Sequence, residues 1–97
     1  MYEIVHHRFV EQKDLKRITK GNQKKILRSI EKKLKTHPET FGKPLLGELK
    51  GYYRLRVDPY RVVYFIEKEK IIVLIIHIGL RKNFLAYIES AKRLGLM

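Results

Sequence analysis

The sequence predicts a small α+β domain in which the helices and most of the strands come from different parts of the chain. Apolar residues recur at helical spacing between residues 9 and 37, and they alternate at strand spacing between residues 52 and 78. A segment rich in proline and glycine, residues 38–51, separates the two parts and is expected to be a loop. Because the helices are segregated and no repeat is visible, we expect the order β-α-α-β-β-β-α.

The first half is expected to form a strand followed by a hairpin of two helices. Apolar and polar residues alternate over residues 2–6, which predicts the first strand of a sheet. After them the apolar residues follow helical spacing, and Asp14 is expected on the outward side of that helix. The predicted inward residues of this first helix are Phe9, Leu15 and Ile18. Gly21 is expected to end it, and Asn22 is expected to cap the second helix. The apolar stripe of that helix consists of Ile26, Leu27, Ile30 and Leu34.

The residue pattern in the second half of the chain predicts an antiparallel meander followed by a C-terminal helix. The three strands are residues 52–57, 60–66 and 71–78, and the interruptions between them are so short that neighbours must run antiparallel. After Gly79, a helix is predicted from about Lys82 to Leu94. Its predicted inward side comprises Phe84, Leu85, Ile88 and Ala91.

The composition restricts both the class of protein and its partners. The 97 residues carry 22 Lys plus Arg against 10 Asp plus Glu, a net charge of +12, which predicts a polyanionic or strongly acidic partner. The alternative is a charged surface that serves only solubility. The longest apolar run, residues 71–76, is far shorter than the roughly 20 residues of a membrane-spanning helix, and the N-terminus lacks a signal-peptide layout. We therefore expect a cytoplasmic protein without a membrane partner, and the absence of Cys excludes disulfides.

Three arginines are predicted to share one face of the sheet. If Asp58-Pro59 is a two-residue connection, Arg56 lies directly opposite Arg61, with Arg54 on the same side. The opposite face, which would cover the helical hairpin, then carries Tyr53, Leu55, Val57, Val62 and Tyr64. A register shift of one residue would scatter the arginines over both faces.

The arginine face has a functional and a purely structural interpretation. Like charges directly opposite each other destabilise a sheet, and one nearby carboxylate, Asp58, cannot neutralise three guanidinium groups. Guanidinium matches phosphate in a bidentate geometry, so we interpret the cluster as a phosphodiester site. Alternatively, Arg54 and Arg56 are merely the solvated positions of a half-exposed strand.

The evidence for other catalytic, metal-binding or cofactor-binding residues is weaker. Arg81 and Tyr87 could reach back over the arginine face, although Tyr87 could equally be an aromatic residue packed on the sheet. No His pair has the spacing of a metal-binding helix and the carboxylates are scattered, so the sequence predicts no metal site. No glycine-rich nucleotide loop or Ser or Cys nucleophile arrangement is present, and we expect no cofactor.

Two stretches resemble a known family. The sequence GYYRLRVDPYRVVY at 51–64, followed by IIHIGLRK at 75–82 and by Tyr87, resembles the RelE/ParE superfamily of bacterial and archaeal toxins. The resemblance implies one RelE-like domain over residues 1–97. It also implies an antitoxin encoded alongside that silences the toxin. RelE-type members are ribosome-dependent nucleases that cut messenger RNA in the A site, whereas ParE-type members share the fold but poison DNA gyrase.

The resemblance also implies the site residues. The basic and aromatic positions of RelE-like toxins match Arg54, Arg56, Arg61, Arg81 and Tyr87, which would be catalytic. Metal-independent cleavage by 2′-hydroxyl attack would use Tyr87 as the base, with Arg81 as a family-derived general acid whose proton a water could supply instead. The other RNA-binding residues would be Lys82, Tyr52 and Phe65. Leu80 departs from the pattern, because many members carry a histidine there.

Three functions therefore remain open. The first is a RelE-type endoribonuclease whose partners are the ribosome, messenger RNA and a RelB-like acidic antitoxin that covers the basic face. The antitoxin would also cover exposed apolar residues, namely Leu45, Leu46 and Leu49. The second is a non-catalytic gyrase-binding toxin. The third is a basic nucleic-acid-binding module without toxicity.

Overall fold

The computed structural model describes residues 1–82 and 84–96, and within them it confirms the α+β class. The strands are β1 (Glu3–His6), β2 (Lys43–Pro44), β3 (Tyr52–Val57), β4 (Tyr60–Glu67) and β5 (Ile72–Leu80). The α-helices are α1 (Lys20–Ser29), α2 (Pro38–Phe41) and α3 (Leu85–Arg93). Helical turns of other types cover Val10–Asp14, Leu15–Arg17, Ile30–Leu34 and Gly47–Leu49.

The strands form one mixed sheet in the order β1-β5-β4-β3-β2. The antiparallel meander of β3, β4 and β5 is confirmed. The first strand joins the sheet by pairing parallel to β5, with Glu3 opposite Ile72. A parallel neighbour needs a long crossover, and the two helical stretches after β1 are part of the long connection that returns the chain to β5.

The boundary between the first two helical stretches differs from the prediction. Ile18 is extended, and the Thr19 hydroxyl caps α1 by accepting a hydrogen bond from the backbone N–H of Asn22 at 3.4 Å. Gly21 therefore lies inside the first turn of α1 and Asn22 is not the cap, because Thr is itself a good N-cap residue. The turn at Val10–Asp14 is wider than an α-helix and buries both of these residues. The prediction that Asp14 faces outward is therefore wrong.

The segment predicted to be a loop is more ordered than expected. Pro38 begins the single turn of α2, where its missing N–H costs nothing, and β2 then pairs with the edge strand β3. Leu45 and Leu49, which belong to this segment, are buried against the sheet and α3, so the prediction that they are exposed is wrong. Leu46 is 86% exposed, as predicted.

The two faces of the sheet are covered by different elements. One face packs on α1 and the turns around it, through a core that includes Ile26, Leu55, Val62, Tyr64 and Ile75. The other face packs on α3 and the 45–49 segment, through Leu45, Leu49, Val63, Ile76 and Ala91. None of the described helices has the length and hydropathy that crossing a membrane requires.

The C-terminal helix presents a different side to the sheet than predicted. Phe84, in a left-handed conformation with φ of 60°, precedes α3, and Asn83 of the predicted helix lies outside the described residues. The buried residues of α3 are Ala86, Ser90 and Ala91, whereas Phe84, Leu85 and Ile88 are exposed. Small side chains let the helix approach the sheet closely, which the apolar spacing alone did not reveal.

Tyr64 anchors the 38–42 segment to the sheet and gives a first prediction. Its hydroxyl donates a 2.6 Å hydrogen bond to the carbonyl of Pro38, and a β-carbon at Gly42 would overlap that hydroxyl. Burial raises the pKa of Tyr64 above its ordinary value. At neutral pH, Tyr64→Phe should lower the free energy of unfolding by about 1–3 kcal/mol, because the buried carbonyl loses its donor.

The difference between the Tyr64→Phe variant and the native chain should depend on pH with a defined sign. Because the folded-state pKa is raised, the contribution of Tyr64 is complete below the unfolded pKa of about 10 and falls as the pH rises above it. Urea unfolding of both proteins between about pH 7 and pH 11 measures the difference between their free energies of unfolding. This difference should become smaller towards pH 11. A free-energy difference that stays constant over this pH range would contradict the assigned role of the Tyr64 hydroxyl.

Candidate functional site

The register of the β3–β4 hairpin confirms the predicted arginine face. Val57 pairs with Tyr60 across the two-residue connection, Arg56 pairs with Arg61, and Arg54 pairs with Val63. Because side chains alternate along a strand, the three arginines lie on the face of the sheet that also carries α3, opposite the face covered by α1.

Arg61 is the centre of this face. Its guanidinium lies over the ring of Tyr87 on α3, with 4.4 Å from Cζ to the ring centroid. Burial lowers the pKa of Arg61, and the charges of Arg54, Arg81 and Arg56 lower it further, while Tyr87 acts in the opposite direction. The other four residues predicted to be catalytic therefore lie within electrostatic reach of Arg61. The Nε atom of Arg61 is buried and has no hydrogen-bond partner among the described residues.

Arg81 is held in place by the hairpin turn. Its backbone N–H donates to the carbonyl of Pro59 at 2.9 Å, and its Nη1 donates to Asp58 Oδ1 at 2.6 Å. Asp58 thus neutralises Arg81 and not the three arginines of the face. Among the described ion pairs, Arg54, Arg56 and Arg61 have no carboxylate partner.

The other predicted RNA-binding residues are more dispersed. Tyr52 and Phe65 pair across β3 and β4 on the arginine face, with ring centroids 5.3 Å apart and an interplanar angle of 49°. They lie beyond the Arg54 and Val63 pair, away from the hairpin turn. Lys82 is exposed next to Arg81, and it also borders a cavity lined by Asp14 and His77.

The arrangement is suited to binding a phosphodiester. Three guanidinium groups that have no carboxylate partner in residues 1–82 and 84–96 present donors whose planar geometry matches phosphate oxygens. A phenol stacked against the central guanidinium adds a group that can exchange a proton at the same place. Placing Arg56 directly opposite Arg61 costs stability, so the cluster is not explained by folding alone.

Sequence reasoning missed a second polar cluster, which lies between the Val10–Asp14 turn, β5 and α3. Arg93 donates from Nη1 and Nη2 to the two carboxylate oxygens of Asp14, both at 2.6 Å, and the backbone N–H of Ile78 donates to Asp14 Oδ2 at 2.9 Å. His77 Nε2 lies 3.1 Å from Glu89 Oε2 and 3.8 Å from Asp14 Oδ1. No sequence signal connects residues so far apart in the chain, and the expected outward position of Asp14 pointed away from them.

The environment of His77 keeps its imidazole neutral. Burial lowers its pKa, and Arg93 acts in the same direction, whereas Asp14 and Glu89 raise it. Nδ1 of His77 is buried without a hydrogen-bond partner among the described residues. Gly79 allows this placement, because a β-carbon there would meet the imidazole ring at 2.5 Å.

Comparisons with known proteins agree with the fold and with the resemblance. The sequence profile of the ParE toxin of the type II toxin–antitoxin system parDE matches residues 5–83. A chain of the toxin–antitoxin complex RelBE2 from Mycobacterium tuberculosis is 26% identical, with a TM-score of 0.77 over 82% of this chain and 98% of that chain. No curated protein matches the sequence.

Two structures of the E. coli RelE toxin share the fold at lower identity. The isolated toxin is 21% identical, with a TM-score of 0.69 over 97% of this chain and 99% of that chain. A RelE mutant in complex with an antitoxin RelBc peptide is 20% identical, with a TM-score of 0.70 over 92% and 93% of the two chains. The profile match covers most of the sequence, so the chain belongs to the ParE toxin family of type II toxin–antitoxin systems, within the RelE/ParE superfamily.

Proposed function

We propose that this toxin is an endoribonuclease that cleaves messenger RNA in the ribosomal A site. The observation that supports this most strongly is the convergence of Arg54, Arg56 and Arg61 with the phenol of Tyr87. Within the described part of the chain, none of the three arginines has a carboxylate partner. A protein that acted only by binding another protein would not need a phosphate-binding cluster combined with a group that can exchange a proton.

The proposed reaction is attack of a 2′-hydroxyl on the adjacent phosphorus. The site must then remove the hydroxyl proton, stabilise the charged phosphorane and protonate the departing 5′-oxygen. Tyr87 is proposed as the base, because its phenol ring lies directly against the guanidinium at the centre of the arginine face. The arginines of β3 and β4 would hold the phosphate and neutralise the charge that develops on it.

Arg81 is assigned to charge stabilisation in this mechanism. Arginine rarely gives up a proton. A water molecule would therefore supply the proton of the leaving group. Tyr52 and Phe65 offer aromatic surfaces on which an unstacked base could lie, with Lys82 as an additional phosphate contact.

Removal of the Arg61 side chain tests the phosphate-binding role. Arg61→Ala should lower the rate of message cleavage about 10²–10³-fold, the usual loss when one donor to a developing oxyanion is removed. The measurement is the rate at which new message ends appear on translating ribosomes. Lys33→Ala, on the opposite side of the molecule from the arginine face, is the control and should cleave at the native rate. Equal rates for Arg61→Ala and the native chain would remove Arg61 from the mechanism.

A cognate antitoxin is proposed as a partner, as the complexes of the structural relatives suggest. The net charge of +12 favours an acidic, RelB-like segment, and the apolar side chains of Leu46, Phe84 and Leu85 remain for it to cover. Association with the acidic protein encoded next to this gene should weaken as salt rises, because salt screens the attraction between the exposed charges.

Inhibition of DNA gyrase is the second candidate function, and the match to the ParE profile favours it. One experiment separates the two candidates: the native chain is added in parallel to translating ribosomes and to a gyrase supercoiling reaction. New message ends without loss of supercoiling are expected. Loss of supercoiling without new message ends would replace the nuclease with the gyrase inhibitor.

A further inference from the structure

We propose that Asp14, His77 and Glu89 form a binding site for a divalent transition metal ion, with Zn²⁺ as the best match. The three residues come from three different elements, namely the Val10–Asp14 turn, β5 and α3. One ligand atom from each lies within 4.8 Å of the others. The proposal concerns a cluster separate from the arginine face and does not depend on the proposed nuclease activity.

The geometry of the cluster brings three possible ligand atoms around one point. Two carboxylate oxygens, Glu89 Oε2 and Asp14 Oδ1, approach the same nitrogen, His77 Nε2, at 3.1 and 3.8 Å. Glu89 Oε2 is the nearer of the two, and Asp14 Oδ1, which accepts from Arg93 Nη2, keeps a second lone-pair position. A metal ion placed among the three atoms would bind all of them.

The distances suit zinc. Bonds of 2.0–2.2 Å to nitrogen and oxygen in a tetrahedral site separate neighbouring ligand atoms by about 3.3 Å. The two distances from His77 Nε2 lie on either side of this value, and the Asp14 and Glu89 oxygens lie within 4.8 Å of each other, so rotation of the partly exposed Glu89 side chain would complete the site. A mixed set of imidazole and carboxylate ligands is typical of zinc and unlike the all-oxygen sites of calcium and magnesium.

The surroundings hold the proposed ligands in position. Arg93 and the N–H of Ile78 occupy three of the four lone-pair positions of the Asp14 carboxylate, which leaves one on Oδ1, the oxygen nearer His77. His77 is 4% exposed, and its second ring nitrogen is buried without a partner among the described residues.

The site also has an entry path and room for a fourth ligand. The side chain of Glu89 is 41% exposed, which gives the ion access from solvent. A cavity of about 240 Å³, bordered by all three ligands, can hold a water molecule in the remaining coordination position. A bound ion would tie α3, which carries Tyr87, to β5 and to the N-terminal turn.

Zinc titration of the full chain tests the proposal. After treatment with EDTA and removal of the chelator, the native chain should bind one Zn²⁺ by calorimetry, and its midpoint of thermal unfolding should rise with zinc. Glu89→Gln keeps the size of the side chain and should weaken the affinity at least about tenfold. Glu48→Gln, which alters an exposed carboxylate outside the cluster, should bind like the native chain.

Binding of Co²⁺ adds a spectroscopic measurement that reports the coordination of the bound ion directly. Co²⁺ in the native chain should show the visible absorption bands of four-coordinate cobalt, and Glu89→Gln should lack them. Absence of Zn²⁺ binding by the native chain, or equal affinity in Glu89→Gln and the native chain, would overturn the proposal. Because no RNA or ribosome is involved, its failure would be distinct from failure of the proposed nuclease function.

Discussion

Tyr87→Phe should fold like the native chain and cleave messenger RNA about 10²–10⁴-fold more slowly, the usual effect of removing a general acid or base. The ring packs against the apolar cluster between α3 and the sheet, and its face lies under the guanidinium of Arg61. Phenylalanine preserves both contacts and removes only the hydroxyl. The loss should therefore appear in the rate of cleavage at saturating ribosome concentration and not in the free energy of unfolding.

Tyr60→Phe is the matched control. Tyr60 begins β4, and its hydroxyl accepts a 3.3 Å hydrogen bond from Asn22 on the α1 side of the sheet. This variant also deletes a phenolic hydroxyl, but on the opposite face of the sheet, and it should cleave at the native rate. Cleavage by Tyr87→Phe at the native rate would keep the nuclease proposal but assign the base to another group.

The second large effect concerns the buried ion pair of Asp14 and Arg93. Asp14→Ala should lower the free energy of unfolding by about 3–5 kcal/mol, because it leaves a buried guanidinium and the N–H of Ile78 without their acceptor. The side chains of Asp14 and Arg93 are 1% and 7% exposed, so water can replace little of what is lost. Urea unfolding at neutral pH measures the difference.

An exposed ion pair in the same protein provides the comparison. Asp58→Ala removes the carboxylate that binds Arg81, but the Asp58 side chain is 68% exposed, and the expected loss is about 0–1 kcal/mol. Adding Arg93→Met to Asp14→Ala should recover part of the larger loss, since an apolar side chain no longer leaves a buried charge unpaired. Equal effects of Asp14→Ala and Asp58→Ala would contradict the structural role of the buried pair.

The hairpin and its arginines were predictable because the relevant information is local. Alternation of side chains and the two-residue connection at Asp58-Pro59 determine which residues face each other, and both can be read within residues 52–66. The burial of Asp14 could not be predicted in this way. It depends on Arg93 and on the backbone of Ile78, which reach Asp14 only when distant parts of the chain come together.

The orientation of α3 shows a second limit of sequence patterns. The apolar spacing favoured Leu85 and Ile88 as inward residues, but the helix packs through Ala86, Ser90 and Ala91. Ser90 satisfies its hydroxyl within the helix by donating to the carbonyl of Ala86 at 2.6 Å, so it can be buried without a partner from the sheet. These residues are buried because the backbone of α3 lies close to the sheet. Hydropathy values do not predict how closely two elements approach.

The parallel pairing of β1 with β5 has a consequence for how the protein is made. Glu3 finds its strand partner only at Ile72, and β5 is also the strand that joins β1 to the rest of the sheet. During synthesis, the N-terminal strand must therefore wait, without its partner, until β5 has left the exit tunnel, and such distant pairings form slowly. The sheet that positions the arginines is thus completed late in translation, so the growing chain carries no assembled toxin fold while most of it is still being made.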